Sequence, residues 1–371
     1  MSTTAATEAV SLPAGATLRP LELPARADAG PTPLIREYAD VRNRSILETT
    51  GRDDDALDAE QLLTVLRSSA TADRRQWAIE RDGRVIGCAA RTIPQDDGAT
   101  TAMVVIALLK SAWGAGIGSA VHAHVETELR SHGVRTLLHW AEHHDDGTGA
   151  APIPSPMGVG EVPADRTARF LLRHGYRVEQ VDRGSEFIFT PAGLRGLEAL
   201  RARAAELAAG YRIVQWMLPT PAERVDGYAW LKSRMSTDVP EGDLDLPVEI
   251  WDAARVAEQD GRFAERGWSV RVTAAESVDT GELCAFNELA IGPDHAGTGH
   301  QYDTLVLAEH RGNRLGMLVK TAGLLSWHER FPASGRIITY NAEQNRPMLD
   351  INEAIGFTPF AYEGAWKKEI A

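Results

Sequence analysis

The chain has 371 residues, too many for one ordinary core, so two domains are expected. Apolar residues make up 43% and charged residues 25%, as in a globular protein, and no apolar run reaches the ~20 residues of a membrane helix. The net charge of −13 argues against a nucleic-acid backbone as the main partner, because that binding rests on Lys and Arg.

The N-terminal stretch, residues 1–17, is small, polar and rich in breakers, so it reads as a disordered tail. It has neither a basic n-region nor an apolar h-region, which predicts a cytoplasmic protein with no membrane contact. A first set of signals begins at "WAIERDGRVIGCAAR", two short strand patterns around an Asp-Gly turn. A buried-strand run, "TAMVVIALLK", leads into the glycine turn "SAWGAGIG". Then come a helix "SAVHAHVETELRSHG", a strand "VRTLLHWAE", a short helix "ADRTARFLLRHGY" and a strand "SEFIFT". Residues 194–210 read as a connecting helix ended by Gly210.

The second half repeats the order. After the strand "YRIVQWM" and helices over "TPAERVDGYAWLKSRM" and "VEIWDAARVAEQDGRFAERG", it runs through "GELCAFNELAIG", "YDTLVLA" and the turn "HRGNRLG". A helix "MLVKTAGLLSWHERF", a strand "GRIITYNAE", a short helix "NRPMLDINEAIGF" and a strand in "FAYEGAWKKEI" follow. Cys88 and Cys284 fall on corresponding strands and read as core residues rather than a disulfide. Such self-similarity predicts a duplicated chain: domains at 18–193 and 211–371 joined by 194–210.

A strand that ends in a glycine turn and opens a helix exposes unpaired amides at the positive end of the helix dipole, which suits phosphate. In "HRGNRLG", Gly312 and Gly316 let the main chain approach a ligand, and Arg311 and Arg314 add cations. There is no Gly-Lys-Ser/Thr, so the turn is not a P-loop, and its spacing is not that of a dinucleotide fold.

The turn, the strand before it and "YNAEQNRPMLDINEAIGF" after it resemble the GNAT acetyltransferase superfamily, and more narrowly its duplicated, two-domain proteins of actinobacterial type. The resemblance implies an α/β (α+β) fold of tandem GNAT-like domains, each a twisted mixed sheet flanked by helices. It implies an acyltransferase that moves an acetyl group from acetyl-CoA to a small-molecule amine by direct attack on the thioester, with no metal. On this resemblance Val306, Leu307, Arg311, Gly312, Asn313, Arg314, Leu315 and Gly316 hold the donor, with Asn341 and Asn345 beside the pantetheine. Arg314 stands where the family has its middle glycine, and Trp113 takes the leading Arg/Gln position in the first half. The first half is therefore expected to be auxiliary and the second to carry the acyl-CoA site.

Attack by an amine needs a base. Glu288 and Asp303 are the carboxylate candidates, with His300 and Gln301 nearby. The family's acid Tyr is replaced by Asn352 and Leu171, which leaves Tyr340 as a substitute. Trp216, Tyr228, Trp230, Trp251 and Trp268, with Asp243, Asp245 and Glu249, could wall a pocket for a cationic amine. "HWAEHHDDG" holds metal-ligand types, but reads as a solvated loop. Two rivals fit the same residues: a non-catalytic CoA-binding or assembly protein, and a GNAT-fold transferase using another activated donor such as an aminoacyl-tRNA. A monomer or homodimer is expected.

Overall fold

The computed structural model describes residues 9–26, 29–96, 98–238 and 244–370. The chain forms two compact units. Unit 1 comprises Met1–Ala150, Pro163–Val178 and Ala365–Ala371; unit 2 comprises Ala151–Val162 and Glu179–Gly364.

In unit 1 the strands are β1 (Val10–Ser11), β2 (Ala16–Pro20), β3 (Ala72–Arg81), β4 (Arg84–Pro94), β5 (Thr101–Leu108) and β6 (Thr136–His143). They lie in that order, antiparallel except for the parallel pair β5–β6. Of the tail expected over 1–17, residues 1–8 lie outside the described residues. Residues 10–17 are not a tail: Val10 and Ser11 pair with Leu18 and Thr17.

The helices of unit 1 are α1 (Pro33–Thr50), α2 (Ala59–Leu66), α3 (Ile117–Ser131) and α4 (Arg166–Arg173). Local chemistry sets their ends. Thr32 caps α1 ahead of Pro33, and Gly51 closes it at φ 72°. Asp58 and Gln61 form a capping box on α2. Asp165 caps α4 through the Ala168 amide.

Unit 2 holds the short pair β7 (Ile153–Pro154) and β8 (Glu161–Val162), then β9 (Arg177–Ile188), most of which belongs to it. Next come β10 (Tyr211–Met217), β11 (Ser269–Ser277), β12 (Leu283–Ile291), β13 (Gly299–Val306), β14 (Arg336–Ala342) and β15 (Thr358–Glu369), whose last residues, from Ala365, belong to unit 1. Its sheet runs β9-β14-β13-β12-β11-β10, with β13–β14 the parallel pair. The helices are α5 (Pro191–Leu207), α6 (Val225–Asp238), α7 (Ala253–Glu265), α8 (Leu315–Arg330) and α9 (Arg346–Ile355). Neighbouring side chains of β12 point to opposite faces. Phe286 packs with Tyr228 and Leu231 of α6, while Ala285 packs with Leu318 and Val319 of α8. The sheet is thus sandwiched between helices, as the sequence predicts. No helix among the described residues is long and apolar enough to cross a membrane.

The units do not part at residues 193 and 211. Strand β9 pairs along β14, from Asp182↔Ala342 to Ile188↔Arg336, and so joins the second sheet. Helix α5 starts earlier than expected and is no free connector: Leu197 and Ala204 are buried in cores shared with α8. The chain's end belongs to unit 1. Trp366 donates to His143 Nε2 at 2.9 Å, Lys368 pairs with Glu126 at 2.6 Å, and the Ile370 amide donates to Arg135 O at 2.7 Å. The cysteines do sit on corresponding strands, but at different depths. Gly87 faces Leu108 as Ala285 faces Val306, which puts Cys88 level with Phe286.

Candidate functional site

Each unit repeats one feature that could admit a ligand. In unit 1 the parallel pair is registered only at Thr101↔Thr136, Ala102↔Leu137 and Met103↔Leu138. In unit 2 it is registered only at Gly299↔Ile337 and His300↔Ile338. Beyond those pairs the strands separate, which leaves main-chain amides and carbonyls of β5 and β13 without ladder partners.

Each split opens on the start of a helix. Most α-helices here begin on a side-chain cap, whereas α3 and α8 begin on left-handed residues with none: Gly116 at φ 78° and Arg314 at φ 58°. The preceding glycines, Gly114 and Gly312, are also left-handed at φ 80° and 88°. The two turns therefore share one backbone, with first amides free to face an anion.

Their side chains differ. In unit 2 the Arg311 guanidinium donates to Val306 O at 3.3 Å and Asp238 O at 3.0 Å. Asn313 donates to His310 O at 3.1 Å and reaches the Tyr211 hydroxyl at 3.4 Å. Arg314 is exposed, and Leu315 is buried against Ala285. Gly316 faces no open space: an added Cβ would lie 2.9 Å from Ile351 Cδ1 and 3.6 Å from Val306 Cγ2. The sequence predicts that Gly316 lets the main chain approach a ligand; its missing side chain instead makes room for Ile351 of α9. Leu307 lines a cavity of about 550 Å³ with Glu223, Trp230, Glu282, Leu283 and Glu309. Asn341 accepts from Asn352 at 2.7 Å, and Asn345 precedes α9 without capping it.

In unit 1 the turn carries Trp113 at the leading position. Its indole donates to Leu108 O at 2.8 Å, and the Arg166 guanidinium lies 4.9 Å from its ring centroid. Arg166 Nη2 would be 3.8 Å from a Cβ on Gly114. The first residue of α4 thus brings a cation to the turn, a contact the linear spacing did not reveal.

The expected bases Glu288 and Asp303 are brought together by a lysine. Lys232 on α6 lies 3.4 Å from Glu288 Oε1 and 2.5 Å from Asp303 Oδ2, and the Tyr228 hydroxyl donates to Glu288. Burial raises the Glu288 pKa; Lys232 opposes this and Asp303 adds to it. Burial alone would lower the Lys232 pKa, but the two carboxylates raise it instead. Burial and Glu288 hold the Tyr228 pKa well above its ordinary value. The aromatic wall expected for a cationic amine holds the chain's own cation: Lys232 Nζ is 4.8 Å from the Trp251 centroid. Trp251 also donates to Glu249, while Asp243 lies outside the described residues. His300 packs on Trp268 with centroids 5.4 Å apart, and Tyr340 packs edge-on to Phe360 at 5.9 Å.

In unit 1 the same helix position repeats as Tyr38 and Arg42 on α1. There the Tyr38 hydroxyl reaches Ala89 O at 3.5 Å, and Arg42 donates to Asp55 O at 2.8 Å. The histidine-rich stretch has structural partners: His143 Nδ1 is 3.0 Å from Asp165, and His144 Nε2 is 2.7 Å from Glu142. No group of three His, Cys, Asp or Glu among the described residues could hold a metal ion.

Residues 40–153 match the profile of the Acetyltransferase (GNAT) family. No curated protein matches the chain. Among solved structures, the chain is similar to a tandem GNAT protein from the clavulanic acid biosynthesis pathway, at 24% identity and TM-score 0.71, covering 95% of this chain and 98% of that one. It is also similar to a GCN5-related N-acetyltransferase from Sphaerobacter thermophilus, at 15% identity and TM-score 0.62, covering 97% of each chain. The chain therefore has the tandem GNAT fold over its length. The residues that match the GNAT-family profile, 40–153, lie in unit 1 except for the last three.

Proposed function

We propose that the protein is an acyl-CoA-dependent N-acyltransferase that moves an acetyl group from acetyl-CoA to a small-molecule amine, with the donor held by unit 1. The observation that carries this reading is the split between β5 and β6 opening on Gly114–Gly116 and the uncapped start of α3, with Arg166 beside it. The pyrophosphate would meet the first amides of α3 and the Arg166 guanidinium, which suits two negative phosphates. Pantetheine amides would take up main-chain groups of β5 between Val104 O and Leu108 O, which His139 and Trp113 already occupy.

The sequence favoured the second half because Arg311 leads its turn. Two main-chain carbonyls hold that guanidinium, and Arg314 brings a side chain where unit 1 has Gly116. Both facts support unit 1 as the donor site, as does the family match at 40–153. One observation favours a second reading, in which the protein binds CoA without transfer: Lys232 holds both Glu288 and Asp303, so neither of the expected carboxylate bases is free.

Thiol release from acetyl-CoA in the presence of a panel of amines separates the two. Amine-dependent release supports transfer. Calorimetric binding of CoA with no release for any amine favours the second reading.

A further inference from the structure

At the vertex of the unit 1 split the next register position would pair Val104 with His139. The main chains have already separated there, and the His139 side chain bridges the gap: Nδ1 lies 2.6 Å from Val104 O. A carbonyl oxygen only accepts, so Nδ1 carries the proton. The tautomer is thereby fixed, and Nε2 keeps its lone pair. Val104 O is thereby taken, and the side chain sits at the start of the stretch of β5 that lacks ladder partners.

We propose that His139 is the general base of acyl transfer in unit 1. The inference rests on the donor site proposed above. Nε2 takes a proton from the attacking amine as its nitrogen bonds to the thioester carbonyl carbon. The carbon–sulfur bond breaks, and the same proton passes from Nε2 to the departing thiolate. The products are the amide and free CoA thiol, with His139 neutral again.

Three further facts support the assignment. Burial lowers the His139 pKa, only partly offset by the bond to Val104, so the ring is neutral at neutral pH. The titratable groups acting on it are His143, on its own strand, and His122 on α3; His143 faces Asp165 at the start of α4. Lastly, the register of unit 2 places Tyr340 at the equivalent point, since Gly299↔Ile337 matches Thr101↔Thr136. Both copies of the fold put a proton-carrying side chain there, in "HWAE" and "YNAE".

The test uses the full-length protein and His139→Asn, whose amide can still donate to Val104 O, with His139→Gln as a second variant. Thiol release across pH and CoA titration are measured on each, with thermal melting to verify folding. The expected result is a rate lower by about 10²–10³-fold, CoA affinity within about twofold, and loss of the acidic limb of the wild-type kcat/KM profile. Wild-type rates in His139→Asn overturn the base role and leave the donor site standing. A wild-type protein that binds no CoA, or binds it and releases no thiol, overturns the transfer reading and the base role together.

Discussion

Gly116 and Arg314 stand at the same point of two equal turns. Each precedes the first residue of a helix and each is left-handed, at φ 78° and 58°. Only glycine takes that conformation without cost; another residue there is strained by about 1 kcal/mol. Unit 1 keeps the residue the backbone calls for, and unit 2 has replaced it with a long exposed cation. The proposed donor site in unit 1 rests on this difference together with the partners of Arg166 and Arg311.

Arg166→Ala should weaken CoA binding by roughly 10-fold, the lower end of what a charge-assisted hydrogen bond supplies. Arg311→Ala should change it by less than about twofold, because that guanidinium already serves Val306 O and Asp238 O. Calorimetric titration of CoA into the two variants measures both. Equal losses would mean that both turns bind.

Lys232→Met should destabilise unit 2 by about 3–5 kcal/mol, since Glu288 is left with a buried charge and no cation. Glu288→Gln in the same chain should restore part of the loss. Urea unfolding of the single and double variants reads this out. An unchanged midpoint for Lys232→Met would show that the cluster holds little energy.

How much of this was legible in the sequence depends on what each residue does. The duplication, the order of β3–β6, β9, β10 and β12–β15, and both glycine turns could be read, because period-2 and helical patterns and glycine punctuation are local; β1, β2 and β11 are not among the expected strands. The exchange of segments between units could not. Nothing local in "AWKKEI" says that Trp366 will donate to His143 or Lys368 pair with Glu126. Glu288 and Asp303 were singled out as carboxylates, yet their state is set by Lys232 on a helix far earlier in the chain. A signal for that lysine did exist: "YA" followed by a cation recurs at Tyr38–Arg42 and Tyr228–Lys232. Arg166 and His139 needed the third dimension, one to bring α4 to the turn and the other to show where β5 and β6 part.

Lys320 gives a test of pH dependence. It is fully buried on α8 with no hydrogen-bond partner for Nζ, and burial lowers its pKa to about 7. The unfolded chain holds that proton up to a pKa of about 10.4. Between pH 7 and 10 the unfolded state therefore binds more protons, and this residue's contribution to stability rises with pH. Lys320→Met should stabilise unit 2 by on the order of 4 kcal/mol at pH 7, and the gain should shrink towards pH 10. Denaturant midpoints at the two pH values check it. A gain that does not change with pH would mean that the lysine is charged in the fold throughout.

The central claim is that the donor lies on the turn of unit 1, and a matched pair of substitutions tests it most directly. Gly116→Asp and Arg314→Asp place the same carboxylate at the same point of the two turns, where it would repel a pyrophosphate. CoA is titrated calorimetrically into the wild-type protein and both variants, each verified as folded by thermal melting. The account predicts that Gly116→Asp loses at least about 10-fold in affinity while Arg314→Asp stays within about twofold, since one charge-assisted contact corresponds to ~1.5–3 kcal/mol. Binding lost in Arg314→Asp and kept in Gly116→Asp would contradict it and move the donor to unit 2.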